Sequence, residues 1–172
     1  IEKSELKKAL LPHATSKISK ASDLDNIVTL GFRGEALASI ASVSKITIIS
    51  KPQNQENGAS IHAEGGVMED VTDCAAAIGT VITVNNLFFN TPAREKFLKT
   101  PKGEESDISA YIARFILGNL DVAFKFVADG KTVYQSYGDG LESAMACVYG
   151  ASILENCYYI DTEKHGIGIR GY

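Results

Sequence analysis

The residues of this chain best suited to chemistry lie in Thr29–Leu37, which reads T-L-G-F-R-G-E-A-L. Gly31 and Gly34 can take backbone conformations with φ > 0 and leave the main chain uncovered. Behind them, Ala36, Leu37, Ile40 and Ala41 recur at helical spacing, which predicts a helix from Glu35 to Val43. Its first turn would present unpaired N–H groups from Gly34, Glu35, Ala36 and Leu37 at the positive end of the helix dipole. That geometry suits an anion, phosphate above all. Arg33 adds a planar cation beside it. The same residues equally suit a plain loop–helix junction, with glycines for turning and an arginine in water. Upstream, Thr15 and Ser16 offer hydroxyl groups and Lys17 a point charge. The bland alternative for that trio is a polar cap with a solvated lysine.

Other chemical residues read less sharply. His13, His62 and His165 are scattered, without ligand spacing. Gly166–Gly171 is a literal G-x-G-x-x-G, but a dinucleotide fingerprint also needs a following helix and an acid about 20 residues on. Here the glycines alternate with isoleucines as in a strand. Arg94, Lys96 and Lys99 form a basic turn that reads as a solvated face or as a contact for DNA phosphate. Cys74, Cys147 and Cys157 lack metal-ligand spacing and read as reduced structural thiols.

The elements that must position these groups follow in order. Residues 4–11 read as a helix with Ser4 as N-cap and Leu6, Ala9 and Leu10 on one face, ended by Pro12. Ser22–Asp25 reads as a capping box opening a helix through Val28. Lys45–Lys51 is a β-branched strand. Residues 59–64 and 67–72 are hairpin arms around Gly65-Gly66. Residues 79–87 are the clearest strand. Thr91 and Pro92 open a helix as N-cap and first helical residue. Residues 99–105, with Pro101 and Gly103, read as a domain boundary. Beyond it, Asp107–Leu117 reads as a helix whose stripe Ile108, Tyr111, Ile112, Phe115 and Ile116 is core. Residues 122–128 and 131–136 form a hairpin across Asp129-Gly130. A helix over 141–149 ends at Gly150, and strands cover 158–162 and 166–172.

A chain of 172 residues with 45% apolar and 22% charged residues can hold one large or two small domains with a real core. The net charge of −4 is uneven: 11 basic and 11 acidic residues through position 100, then 6 and 10. Bulk charge therefore predicts no duplex-binding surface, though a local basic groove is compatible with it. No apolar run of membrane length and no signal peptide are present. The start at Ile1 without methionine, and the end at Tyr172 inside an apolar pattern, are the features expected of a cut chain.

Three blocks carry a resemblance: H-A-T-S-K-I at 13–18, T-L-G-F-R-G-E-A-L-A-S-I at 29–40, and G-T-x-I-x-V-x-N-L-F-F-N-T-P-A-R-x-K-F-L at 79–98. Together they resemble the MutL family of DNA mismatch repair proteins, strongly over residues 1–100 and more loosely beyond. The resemblance implies a GHKL-type ATPase, in which ATP lies on a β-sheet backed by helices and a lid closes over the phosphates. The implied fold class is α+β: an incomplete GHKL α/β sandwich over 1–100, followed by the first part of an α+β transducer domain over 101–172. Thr15, Ser16 and Lys17 match lid positions that contact nucleotide. Arg33, Gly34, Glu35, Ala36 and Leu37 match the phosphate-binding segment. Gly79 and Thr80 match the last GHKL motif, where the threonine helps hold the adenine end through water. Glu35 would repel a triphosphate, so its N–H is expected to face nucleotide while its side chain turns away. His13 is expected to make a structural hydrogen bond near the lid.

The resemblance also implies ATP and Mg²⁺ as cofactors of the full protein. Its implied partners are DNA, a MutS-type mismatch recognition protein, and a second copy through the N-terminal region. The implied location is cytoplasmic, nucleoid-associated if bacterial. The family's glutamate base with its Mg²⁺-binding asparagine, and its Asp-x-Gly-x-Gly turn, have no match in this sequence. Asp139-Gly140 lacks the second glycine, and Glu155 and Asn156 are adjacent and cannot share a helix face. A lysine for the γ-phosphate is expected beyond Tyr172. No catalytic residue and no metal ligand are therefore assigned. The chain alone is expected to bind ATP weakly or not at all, to leave it unhydrolysed, and to self-associate through an uncovered sheet edge or carry a disordered lid. The competing class is a non-catalytic scaffold or interaction module that binds no nucleotide by itself.

Overall fold

The computed structural model describes residues 1–18, 22–23 and 31–172. Most of the capping-box helix expected over 22–28, together with Thr29 and Leu30, lies outside the described residues. The chain divides into two compact units, Ile1–Leu98 and Lys99–Tyr172.

The first unit is built on an antiparallel sheet. Strands β1 (Lys45–Lys51), β2 (Gly58–Glu64), β3 (Val67–Met68), β4 (Thr72–Cys74) and β5 (Gly79–Asn85) run β3-β2-β1-β5, with β4 also paired to β2. Alternation along β1 decides what is buried: Ile46, Ile48 and Ser50 point inward, while Lys45, Thr47, Ile49 and Lys51 are partly exposed. Register carries the inner face outward from β1. Ile48 stands opposite Ile61 of β2 and Ile82 of β5, and Ser50 opposite Ala59 and Thr80. On the other face, Thr47 Oγ1 and His62 Nδ1 hydrogen-bond across the strands at 2.9 Å, and Lys45 pairs with Glu64 at 2.9 Å.

Two short helices cover the inner face. A 3₁₀ turn over Lys3–Glu5 leads into α1 (Leu6–Ala9), and α2 spans Ala36–Ser42. Leu6 and Leu10 meet Ala41, Ile46, Ile48, Ala59, Ile61 and Ala63 in the core, with Leu37 and Ile40 packed against it. Burying each of these leucines and isoleucines contributes about 1.5–3 kcal/mol, and each alanine less. Lys3 and Lys7 bind Asp73 and Asp70 at 2.7 and 2.8 Å, fastening this segment to the connection around β4. The hydrogen bond and charge of Lys7 hold the Asp70 carboxyl below the usual carboxylate range.

Several expectations need correction here. Ser4 is not an N-cap: Glu2 and Glu5 occupy the cap positions, and neither makes a side-chain cap bond. The second hairpin arm breaks after Met68, and Thr72–Cys74 pairs with the far end of β2 instead. β5 ends at Asn85 because Asn86 and Phe88 take positive φ, at 50° and 67°, and turn the chain. Thr91 precedes α3 (Pro92–Glu95), but its hydroxyl makes no cap bond.

The second unit holds α4 (Pro101–Gly118), hairpin β6 (Lys125–Ala128) and β7 (Lys131–Gln135), α5 (Leu141–Tyr149), and hairpin β8 (Ile160–Lys164) and β9 (Ile167–Gly171). Most of the polar stretch expected as a boundary is the first turn of α4. Pro101 sits at the start, where its missing N–H costs nothing, and Thr100 Oγ1 accepts from Gly103 N at 3.3 Å. The α4 stripe is not core as expected. Ile116 is buried, whereas Ile108, Tyr111 and Phe115 are 43–61% exposed. Within this unit α4 packs on α5 and β6, which cover only part of its circumference. Asp129-Gly130 takes positive φ at both positions, 47° and 76°, as a type I′ turn requires. His165-Gly166 does the same, at 55° and 76°, and sets β8 two residues later than expected. A 3₁₀ segment over Ala151–Asn156, unmarked in the pattern, follows α5.

Candidate nucleotide site

Gly34 is the point where two loop segments meet. Its φ is +64°, and a Cβ there would lie 2.2 Å from the Ala14 carbonyl oxygen. Only glycine permits that approach of one backbone to the other. The approach brings Ala14 against Gly34, and the neighbouring residues His13 and Glu35 also meet. His13, itself at φ 61°, stands with Nδ1 3.1 Å from Glu35 Oε1. The Glu35 carboxylate is thus held by His13 rather than by the helix start, where it makes no cap bond.

The first turn of α2 begins at Ala36, one residue later than expected, with Glu35 in the cap position. The N–H groups of Ala36 and Leu37 lack partners within the helix, as any first turn does. Arg33 is exposed, and its guanidinium lies 5.8 Å over the Phe32 ring. The Thr15 hydroxyl accepts from Lys17 N at 3.1 Å, closing a local turn. Ser16 and Lys17 are exposed. Among the described residues neither Lys17 nor Arg33 has a carboxylate partner. A small open cleft lies against this junction, lined by Pro12, His13, Glu35, Ala38, Ser39 and Ser42.

Thr80 lies on β5. It is exposed on the inner face of the sheet, and its hydroxyl is 2.9 Å from the buried Ser50 Oγ. Gly79, at φ +127°, precedes it. Ser50 carried no signal in the sequence, where an S-K-P strand end reads as a polar exit. Only the register of β1 against β5 reveals its position.

The basic candidates fall in both units. Arg94 in α3 and Lys96 are exposed in the first unit, beside Phe97, which is 88% exposed. Lys99 belongs to the second unit and is ion-paired with Asp107, whose hydrogen bond and charge raise the Lys99 pKa. The G-x-G-x-x-G run lies in and beside β9, within a hairpin, as its alternation predicted. Among the described residues no cluster of three or more His, Cys, Asp or Glu could hold a metal, and no helix is long and apolar enough to cross a membrane. The three cysteines are free.

No family model matches the chain. Curated relatives do. The chain is 47% identical over 169 residues to the DNA mismatch repair protein MutL of Clostridium tetani (strain Massachusetts / E88), covering 98% of this chain and 27% of that one. It is 44% identical over 173 residues to MutL of Clostridium botulinum (strain Eklund 17B / Type B), covering 100% and 26%. Among solved structures, the Aquifex aeolicus MutL ATPase domain complexed with ADP superposes with a TM-score of 0.64 at 29% identity, over 76% of this chain and 52% of that one. The mixed helix-and-sheet fold of this chain therefore matches about half of a GHKL-type ATPase domain. The chain belongs to the MutL family of DNA mismatch repair proteins. It spans about a quarter of the length of the curated relatives it matches.

Proposed function

We propose that this chain is part of a MutL-type DNA mismatch repair ATPase and supplies the ATP lid and phosphate-binding segment. The observation that carries this reading is the backbone approach of Gly34 to Ala14. In this reading the hydroxyl groups of Thr15 and Ser16 and the ammonium of Lys17 act with Arg33 and with the N–H groups of Gly34, Glu35, Ala36 and Leu37. Cations and main-chain donors converging on one junction suit a polyphosphate. With its carboxylate held by His13, Glu35 can offer its N–H while its charge is directed to the imidazole. Thr80 takes the base end of the nucleotide on the sheet. The second unit is read as the start of the transducer domain.

The activity of the whole protein is proposed as Mg²⁺-dependent ATP hydrolysis in the cytoplasm. Its partners are DNA, a MutS-type protein and a second copy. Arg94, Lys96 and Lys99 remain proposed DNA contacts, with Lys99 the weakest because Asp107 already neutralises it. Thermal denaturation with and without Mg·ATP tests the lid reading. A nucleotide at about 100 times its Kd adds about 2.7 kcal/mol of stability. The chain alone is expected to show a small shift, and the full-length gene product a large one that Lys17→Ala and Arg33→Ala reduce. No shift in either at millimolar ATP would favour the scaffold reading.

A further inference from the structure

The inner end of the sheet holds a hydroxyl pair that the lid reading does not use. Ser50 is 1% exposed. Its Oγ lies 2.9 Å from Thr80 Oγ1 and 3.3 Å from the Gly79 carbonyl oxygen. A serine hydroxyl has one proton and two acceptor sites. Both contacts are hydrogen bonds at once in only one arrangement. Ser50 donates its one proton to the Gly79 carbonyl, so Thr80 donates to Ser50. The Thr80 proton is then committed inward. Its oxygen lone pairs are left to face the open side of β5, where Thr80 is exposed.

We infer that Ser50 is a positioning residue that fixes the polarity of the Thr80 hydroxyl, so that Thr80 presents an acceptor to a hydrogen-bond donor of the ligand. This rests on the reading of Thr80 as a nucleotide contact. The matching chemistry is an N–H donor on the nucleobase, such as an exocyclic amino group, or a water carried by it. A base bearing a carbonyl oxygen at that place would set acceptor against acceptor. Without Ser50, the Thr80 hydroxyl is free to rotate and no longer prefers one role.

The test measures equilibrium binding of ATP, of purine riboside triphosphate, which lacks the amino group, and of inorganic tripolyphosphate to the full-length gene product. Ser50→Ala, Thr80→Ala and the double variant are compared, with Ser50→Cys as a near-isosteric second choice should the alanine variant fold poorly. Loss of one such hydrogen bond corresponds to about a fivefold to tenfold fall in ATP affinity. That fall is expected in Ser50→Ala, with tripolyphosphate affinity unchanged and no further loss in the double variant. If the amino group is bound directly, preference for ATP over purine riboside triphosphate shrinks. If a water mediates, both nucleotides weaken together while tripolyphosphate does not. A Ser50→Ala protein that loses ATP and tripolyphosphate equally has lost structure rather than positioning, which overturns the inference. An effect of Thr80→Ala without one of Ser50→Ala also overturns it, leaving the Thr80 contact standing. No effect of Thr80→Ala removes that contact itself, and the inference with it.

Discussion

At the scale of single residues, the site depends on what glycine lacks. Gly31 and Gly34 both take positive φ, at 97° and 64°. A Cβ on Gly31 meets nothing within 4 Å, whereas one on Gly34 meets the Ala14 backbone. Gly31→Ala therefore costs backbone strain alone, roughly 1–2 kcal/mol. Gly34→Ala adds a clash that no rotamer can relieve, because both partners are main chain. We expect Gly34→Ala to abolish the Mg·ATP thermal shift of the full-length gene product and Gly31→Ala to reduce it. Equal effects would remove the Ala14 contact from the explanation. Within the second unit, Tyr172 donates to the Glu142 carboxylate, and this bond, more than burial, raises the phenol from 10.0 to about 12. A raised folded pKa means that the folded state holds the proton more tightly. The stabilisation is fully present below pH 10.0 and is lost as pH rises through about 12. Tyrosinate absorbance should show one phenol titrating late, and Glu142→Gln should bring it back toward the ordinary value.

At the scale of elements, β5 is the exposed strand of the described sheet. All seven of its residues, Gly79–Asn85, are exposed, and none is charged or proline. Val81, Ile82 and Val84 are 42–60% exposed. Such an edge lacks the lysines, prolines and bulges that keep strands from pairing with other chains. The chain alone is expected to self-associate through β5, and Val81→Lys to reduce that association while leaving the fold intact. Sedimentation of the two forms over a concentration series checks this; a wild-type chain that stays monomeric throughout refutes it. The helices show how neighbours override local pattern. α2 formed within a residue of its predicted start, because apolar spacing and the core beneath it agree. α4 begins six residues early, because Pro101 and Gly103, read as breakers, are well placed in a first turn capped by Thr100.

At the scale of the whole molecule, the two units give different readings of the same sequence. The first buries a core of eight apolar residues between helices and sheet. In the second, the buried set is Ile116, Ala144 and Ser136, while Tyr158, Ile167 and Ile169 of the last hairpin region are 60–89% exposed. Phosphoryl transfer depends on positioning and on neutralising charge, and a lid alone supplies only part of each. The chain by itself is therefore expected to show no ATP turnover above buffer under conditions in which the full-length gene product is active. Turnover near that of the full-length gene product would require a base among residues 1–172 that the reading above does not contain.

The three sequence blocks at 13–18, 29–40 and 79–98 determined the family by themselves, because they are long runs of particular residues in a particular order. Local signals also sufficed for β1, β5, α5 and the Asp129-Gly130 turn, where a strong period or a turn residue acts within a few positions. What only the tertiary structure decided are relations between distant residues. Ala14 against Gly34, His13 against Glu35 and Ser50 beneath Thr80 each join segments separated by at least twenty residues. Their distances depend on strand register and on the path of the loops, which no local pattern contains. The exposure of the α4 stripe was hidden for the same reason: spacing shows that a helix has an apolar face, but only the packed neighbours decide how much of it is covered.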